Sequence, residues 1–167
     1  MSFRPKQFAA VLLLLSAALF AAAPALPAQS LNDKTDKLVS LMKQDGFDYK
    51  TTNSPTVFTI HFTGTNMKDI KVVLALGDTD DDCDLVVFVT VTPKATMPTT
   101  ANFRYALLKF NNDYDMVKVS LDSDDDLSVR VDGSMRVADA LYLKNLVNQV
   151  KSASDEIYGK IQPSLIP

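Results

Sequence analysis

Apolar residues recur along this chain with two periods, and the switches between them lay out the fold. From Leu31 to Gln44, Leu31, Leu38, Leu41 and Met42 fall at helical spacing, and Asp45 with Gly46 gives a stop. A polar turn ending at Pro55 follows. Val57, Phe58, Thr59, Ile60, His61 and Phe62 then read as a strand, turned back by Gly64, Thr65 and Asn66. Ile70 to Leu76 is predicted as a second strand and residues 77–84 as an acidic loop. Leu85 to Thr92, dominated by Val, Thr and Phe, reads as a third, central strand.

Pro93 and Pro98 break the chain before a second helix. Thr99 or Thr100 can cap it, and Phe103, Leu107 and Phe110 recur along it at roughly helical spacing. Asn111 and Asn112 suit its end, where a left-handed residue is often needed. Residues 116–121 and 127–131 alternate as two strands around the acidic tip at 122–126. Residues 137–161 carry a long apolar stripe through Leu143, Leu146, Val147, Val150, Ala153, Ile157 and Ile161; Gly159 weakens its last turn and Pro163 ends it. Two strand groups separated by a helix, without βαβ alternation, predict an α+β fold: an antiparallel five-stranded sheet in the order α-β-β-β-α-β-β-α.

The N-terminus changes the picture of where this domain works. Arg4 and Lys6 precede a near-continuous apolar run over residues 8–20, with small residues at Ala21, Ala22 and Ala23. This is the pattern of a cleavable secretory signal occupying residues 1–28, with cleavage after Ala25 or Ala28. The run is shorter than the ~20 residues a membrane-spanning helix needs, so no stable span is expected after cleavage. Residues 29–167 then form one domain, expected in the periplasm or secreted. Losing Arg4 and Lys6 takes the net charge from −3 to about −5, which argues against nucleic acid and anionic membranes as partners. Nineteen of the twenty acids are Asp and only Glu156 is Glu, so the charge is expected at turns, where a short carboxylate bonds the local backbone.

No catalytic set emerges. Asp78, Asp80, Asp82 and Asp84 alternate, as do Asp122, Asp124 and Asp126, and oxygen-rich clusters suit Ca²⁺. An EF-hand loop needs Gly at its sixth position and Glu at its twelfth. Counting from Asp78 these are Cys83 and Val89, and from Asp122 they are Leu127 and Gly133. The acids are read instead as solvated hairpin tips. His61, the only histidine, is placed by alternation on the face with Val57 and Thr59, away from the core. Cys83 is the only cysteine, expected half-buried beside a strand, and its acidic neighbours Asp82 and Asp84 argue against an activated nucleophile. The five glycines are scattered, so no phosphate loop exists. The expectation is a protein that is not an enzyme and uses no cofactor or metal.

Leu107, Leu108, Lys109, Phe110 and Asn111, then Met116, Val117, Lys118 and Val119, then an acidic turn and Leu127 to Asp132 before a long amphipathic helix, resemble the YbjN family. Those bacterial domains are labelled as sensory transduction regulators. The resemblance spans residues 33–161 and is strongest over 107–150. It implies a type III secretion chaperone-like fold and a non-catalytic role in binding polypeptide or in regulation. It also implies a homodimer whose partner or dimer surface uses Phe103, Leu107 and Phe110 of the second helix. The alternative is a small-ligand or cation-binding envelope protein that uses the acidic loops.

Overall fold

The computed structural model describes residues 29–77 and 83–166. The leader with its two cleavage positions, and Asp78, Asp80, Asp81 and Asp82, lie outside the described residues. The elements run α1 (Leu31–Gln44), β1 (Tyr49–Thr51), β2 (Val57–Phe62), β3 (Ile70–Leu76), β4 (Leu85–Thr92), α2 (Ala101–Lys109), β5 (Lys118–Leu121), β6 (Leu127–Gly133) and α3 (Ala140–Ile161). They form an α+β fold around one sheet, ordered β1-β2-β3-β4-β6-β5, with every pair antiparallel.

The sheet has six strands, not five. The extra one is β1, which lies where a polar turn was expected. Three residues are too few to show a period. Pairing with Ile60, Thr59 and Phe58 makes them a strand, and Tyr49 stacks edge-on against Phe58 at 5.9 Å. The two strands around the acidic tip are also shifted. β5 starts at Lys118 rather than 116, and β6 runs on to Gly133 opposite Leu85.

Each helix starts on a local cap. Ser30 and Asp33 form a reciprocal box at α1, Thr100 accepts from the Phe103 amide, and Asp139 accepts from the Tyr142 amide at 2.7 Å. α3 therefore begins at Ala140, later than the apolar stripe suggested. After α2 the chain tightens into a 3₁₀ turn over Phe110–Asn112, and neither Asn111 nor Asn112 is left-handed. Asn111 does other work. Its side-chain oxygen accepts from the Val119 amide at 2.7 Å and its side-chain nitrogen donates to the Val119 carbonyl at 3.1 Å. One amide thus covers part of the free edge of β5.

α1 and α3 pack on the same face of the sheet. Leu38, Met42, Phe58, Ile60, Val72, Leu74, Val87, Val129, Leu146, Val150 and Ile157 fill the space between. Two polar ties fix the helices there. The first is a buried ion pair between Lys34 of α1 and Asp84, 3.1 Å apart and 4% and 5% exposed. Asp84 also accepts from the Met135 amide at 2.7 Å. This acid, expected at a solvated tip, instead joins α1 to the start of β4 and the segment after β6, while its neighbour Cys83 is exposed rather than half-buried.

The second tie is Asp155, in the middle of α3. Its carboxylate accepts from three consecutive amides of the β2–β3 turn: Thr65 at 2.9 Å, Asn66 at 2.8 Å and Met67 at 2.7 Å. Burial opposes the charge, but the amides of Met67, Asn66 and Thr65 outweigh it and hold this carboxyl below its usual range. The approach is possible because two positions lack side chains. A Cβ on Gly64 would run into the Asp155 carboxylate and come within 2.7 Å of Ile70 Cδ1, and one on Gly159 would meet the Asn66 side chain at 2.6 Å.

Candidate functional site

α2 is nine residues long and carries apolar side chains on two sides, more than one sheet contact can bury. Leu107 is buried, and Phe103 and Phe110 are half-buried against the core. Tyr105 and Leu108, by contrast, are 63% and 64% exposed. Because α2 lies over the edge strand β5, this second side faces outward beside Leu121, itself 44% exposed at the end of the strand.

Between α2 and β5 run two depressions that meet at Arg104, Leu107 and Leu121. One, of about 150 Å³, is lined by Leu107, Leu108, Val119, Leu121 and Leu127 with Ser120 and Arg104. The other, of about 340 Å³, reaches past Phe103, Met97 and Pro98 to Lys94 and Asp125. Together they form an apolar groove with charged groups at one end. Lys94 bonds Asp125 at 2.5 Å, and its backbone amide donates to Asp126 at 2.7 Å, which ties the acidic tip to the groove rim. The hydrogen bond from Lys94, then its charge, with a smaller contribution from Arg104, holds the Asp125 carboxyl below the usual range. A carboxylate held in that state is a poor proton acceptor. The groove offers apolar area, with Arg104 and the Lys94–Asp125 pair at its charged end.

Of the three residues singled out in the sequence, Phe103 and Leu107 line this groove and Phe110 does not. Phe110 turns toward α3, where the Lys160 ammonium sits 5.4 Å from its ring centroid. The residues that sequence reasoning missed are Tyr105, Leu108 and Leu121. A signal for Leu108 was present: Phe103, Leu107 and Phe110 fall in one narrow row along the helix, and Leu108 lies roughly 100° round from Leu107, outside that row. Leu121 has the same parity as the buried Val119, but α2 leaves it only partly covered.

The other expected sites resolve individually. His61 is exposed and bonds Asp69 at 2.8 Å. Asp122 turns its carboxylate onto the amides of Asp124 and Asp126, both at 3.0 Å, inside its own hairpin, with Asp125 left-handed at φ 64°. Among the described residues no three His, Cys, Asp or Glu side chains converge as metal ligands. No helix among them is long and apolar enough to cross a membrane.

Comparison with known proteins gives a likeness of shape and none of sequence family. No protein-family model matches the chain, and no curated protein matches it. Among solved structures, the Yersinia pestis type III secretion chaperone SycH, determined in complex with a stable fragment of YscM2, aligns with a TM-score of 0.48 and 15% identity. The alignment covers 72% of this chain and 96% of that one.

Proposed function

We propose that this protein is an exported, non-catalytic polypeptide-binding module of the YbjN type, with a chaperone-like or regulatory role. Its contact surface is the groove between α2 and β5, and its first partner there is a second copy of the chain. The observation that carries this reading is the outward side of α2: Leu108 and Leu121 stand exposed along an apolar groove walled by Phe103 and Leu107, and Tyr105 is exposed on the same helix. Covering an exposed leucine contributes about 1.5–3 kcal/mol, so three large apolar side chains supply a useful centre for an interface. Asn111 blunts the edge of β5 at Val119, which favours side-chain packing over strand addition at this surface.

The non-catalytic part is supported by how the carboxylates are employed. Those held below their usual range, Asp125, Asp132, Asp155 and Glu156, each engage a lysine, arginine, tyrosine or backbone amide that does structural work. Export is supported by the basic and apolar pattern of residues 1–28. The test is the mass of the folded species by sedimentation, wild type against Leu108→Asp. A dimer that becomes a monomer supports the reading; a dimer unaffected by the substitution removes α2 from the interface.

A further inference from the structure

Among the described residues the packed helices lie on one side of the sheet, and the register shows what the other side carries. One row crosses all six strands: Lys50, Thr59, Val73, Phe88, Arg130 and Lys118. In the strand interiors its neighbours, among them Phe58, Ile60, Val72, Leu74, Val87 and Val129, are buried under the helices, so the row itself points the other way. The adjacent row on the same side holds Val57, Ala75, Val86 and Asp132. Val57, Val73, Ala75, Val86 and Phe88 form an apolar centre that is half-buried by its own strand neighbours and lies outside the main core.

Among the described residues, the charges on this side are sorted. Lys50, Lys71, Lys118 and Arg130 stand against one strand carboxylate, Asp132, which Lys118 bonds at 2.6 Å and Arg130 at 2.9 Å. Lys50 and Lys71 form no ion pair among the described residues, and the His61–Asp69 pair lies at the margin. A chain of net charge −3 therefore gathers cations around one apolar sheet face. The polypeptide that complements such a face is apolar in its middle and acidic at its ends.

We propose that the open face of the sheet, centred on Val73 and Phe88, binds an acid-flanked apolar segment of a partner protein. From Lys50 to Lys118 are five strand spacings, about 24 Å, which an extended segment of about seven residues spans. This surface is separate from the α2–β5 groove, so its test can fail without affecting that reading.

The experiment is a selection of random twelve-residue peptides on the full chain, followed by Kd measurement of the enriched peptides on variants. Enriched peptides should carry Asp or Glu on both sides of an apolar run. Lys50→Glu combined with Lys71→Glu should raise their Kd at least tenfold, because both lysines are exposed and removable without disturbing the core. Lys43→Glu with Lys144→Glu, the same charge change on the helix side, and Leu108→Ser should leave the Kd within twofold. Absence of enrichment, basic or uncharged winners, or equal binding by the Lys50/Lys71 variant would overturn the proposal. So would phosphatidylglycerol vesicles competing as well as the free peptide, because the face would then be a general anion surface.

Discussion

Removing the Asp155 carboxylate is the sharpest test of how α3 is held to the sheet. In Asp155→Ala three amides lose one acceptor. Thr65 and Asn66 are exposed, so water replaces the carboxylate at their N–H groups; Met67 is half-buried, and its amide is left without a partner. A hydrogen bond to a charged group contributes about 1.5–3 kcal/mol, the larger end where the donor stays dry. One such loss, one or two wet ones and a few tenths regained from alanine's helix propensity give a net cost of about 2 kcal/mol. For a domain of this size that corresponds to a fall in Tm of roughly 5–8 °C.

The pH dependence gives a second, independent reading of the same tie. The folded carboxyl lies below its ordinary 3.8, so the unfolded state takes up protons first as the pH falls. The contribution of Asp155 is therefore complete above about pH 4 and is lost as the pH drops through the folded value. Urea unfolding of wild type and Asp155→Ala between pH 2.5 and 7 should show a constant gap that closes only at the acid end. A gap under 0.5 kcal/mol at pH 7, or one that persists unchanged at pH 2.5, would refute the reasoning.

Other variants probe the remaining ties. Gly159→Ala should destabilise despite alanine's higher helix propensity, because its Cβ meets the Asn66 side chain at 2.6 Å; a rise in Tm by calorimetry would show that the turn yields freely. Lys34→Met should cost about 3 kcal/mol by stranding a buried Asp84. Adding Asp84→Leu should restore part of that, with the Met135 amide still lacking its acceptor; urea midpoints of both variants check this. Asn111→Ala should cost about 1–2 kcal/mol and raise hydrogen exchange at Val119; unchanged exchange there would contradict the edge-covering role.

What the sequence made legible was whatever had a period and a length. α1, β2, β3 and β4 lie where their apolar patterns end, because Gly, Pro and Asp punctuate them. Tyr49–Thr51 had no such signal, since its strand character comes from its neighbour β2 and from the Tyr49–Phe58 contact. Asn111 was noticed for its backbone tolerance, whereas its role is long-range hydrogen bonding to Val119. Asp84 and Asp155 read as two more acids in an Asp-rich chain. Only tertiary structure shows that one meets Lys34 in the core and the other receives a turn. In the groove, Phe103 and Leu107 were visible as a helical repeat, but which side of a short, two-sided helix stays open depends on where β5 ends.

The claim that matters most is that the α2–β5 groove is a polypeptide contact, and a photo-crosslinking residue at position 108 tests it most directly. It would be placed in the full chain, expressed in the native host and irradiated in intact cells, with the same residue at Lys144, exposed on α3, as the control. The account predicts a discrete adduct from position 108, the size of a dimer or of one defined complex, and none from position 144. No adduct from position 108, or the same diffuse products from both positions, would contradict it.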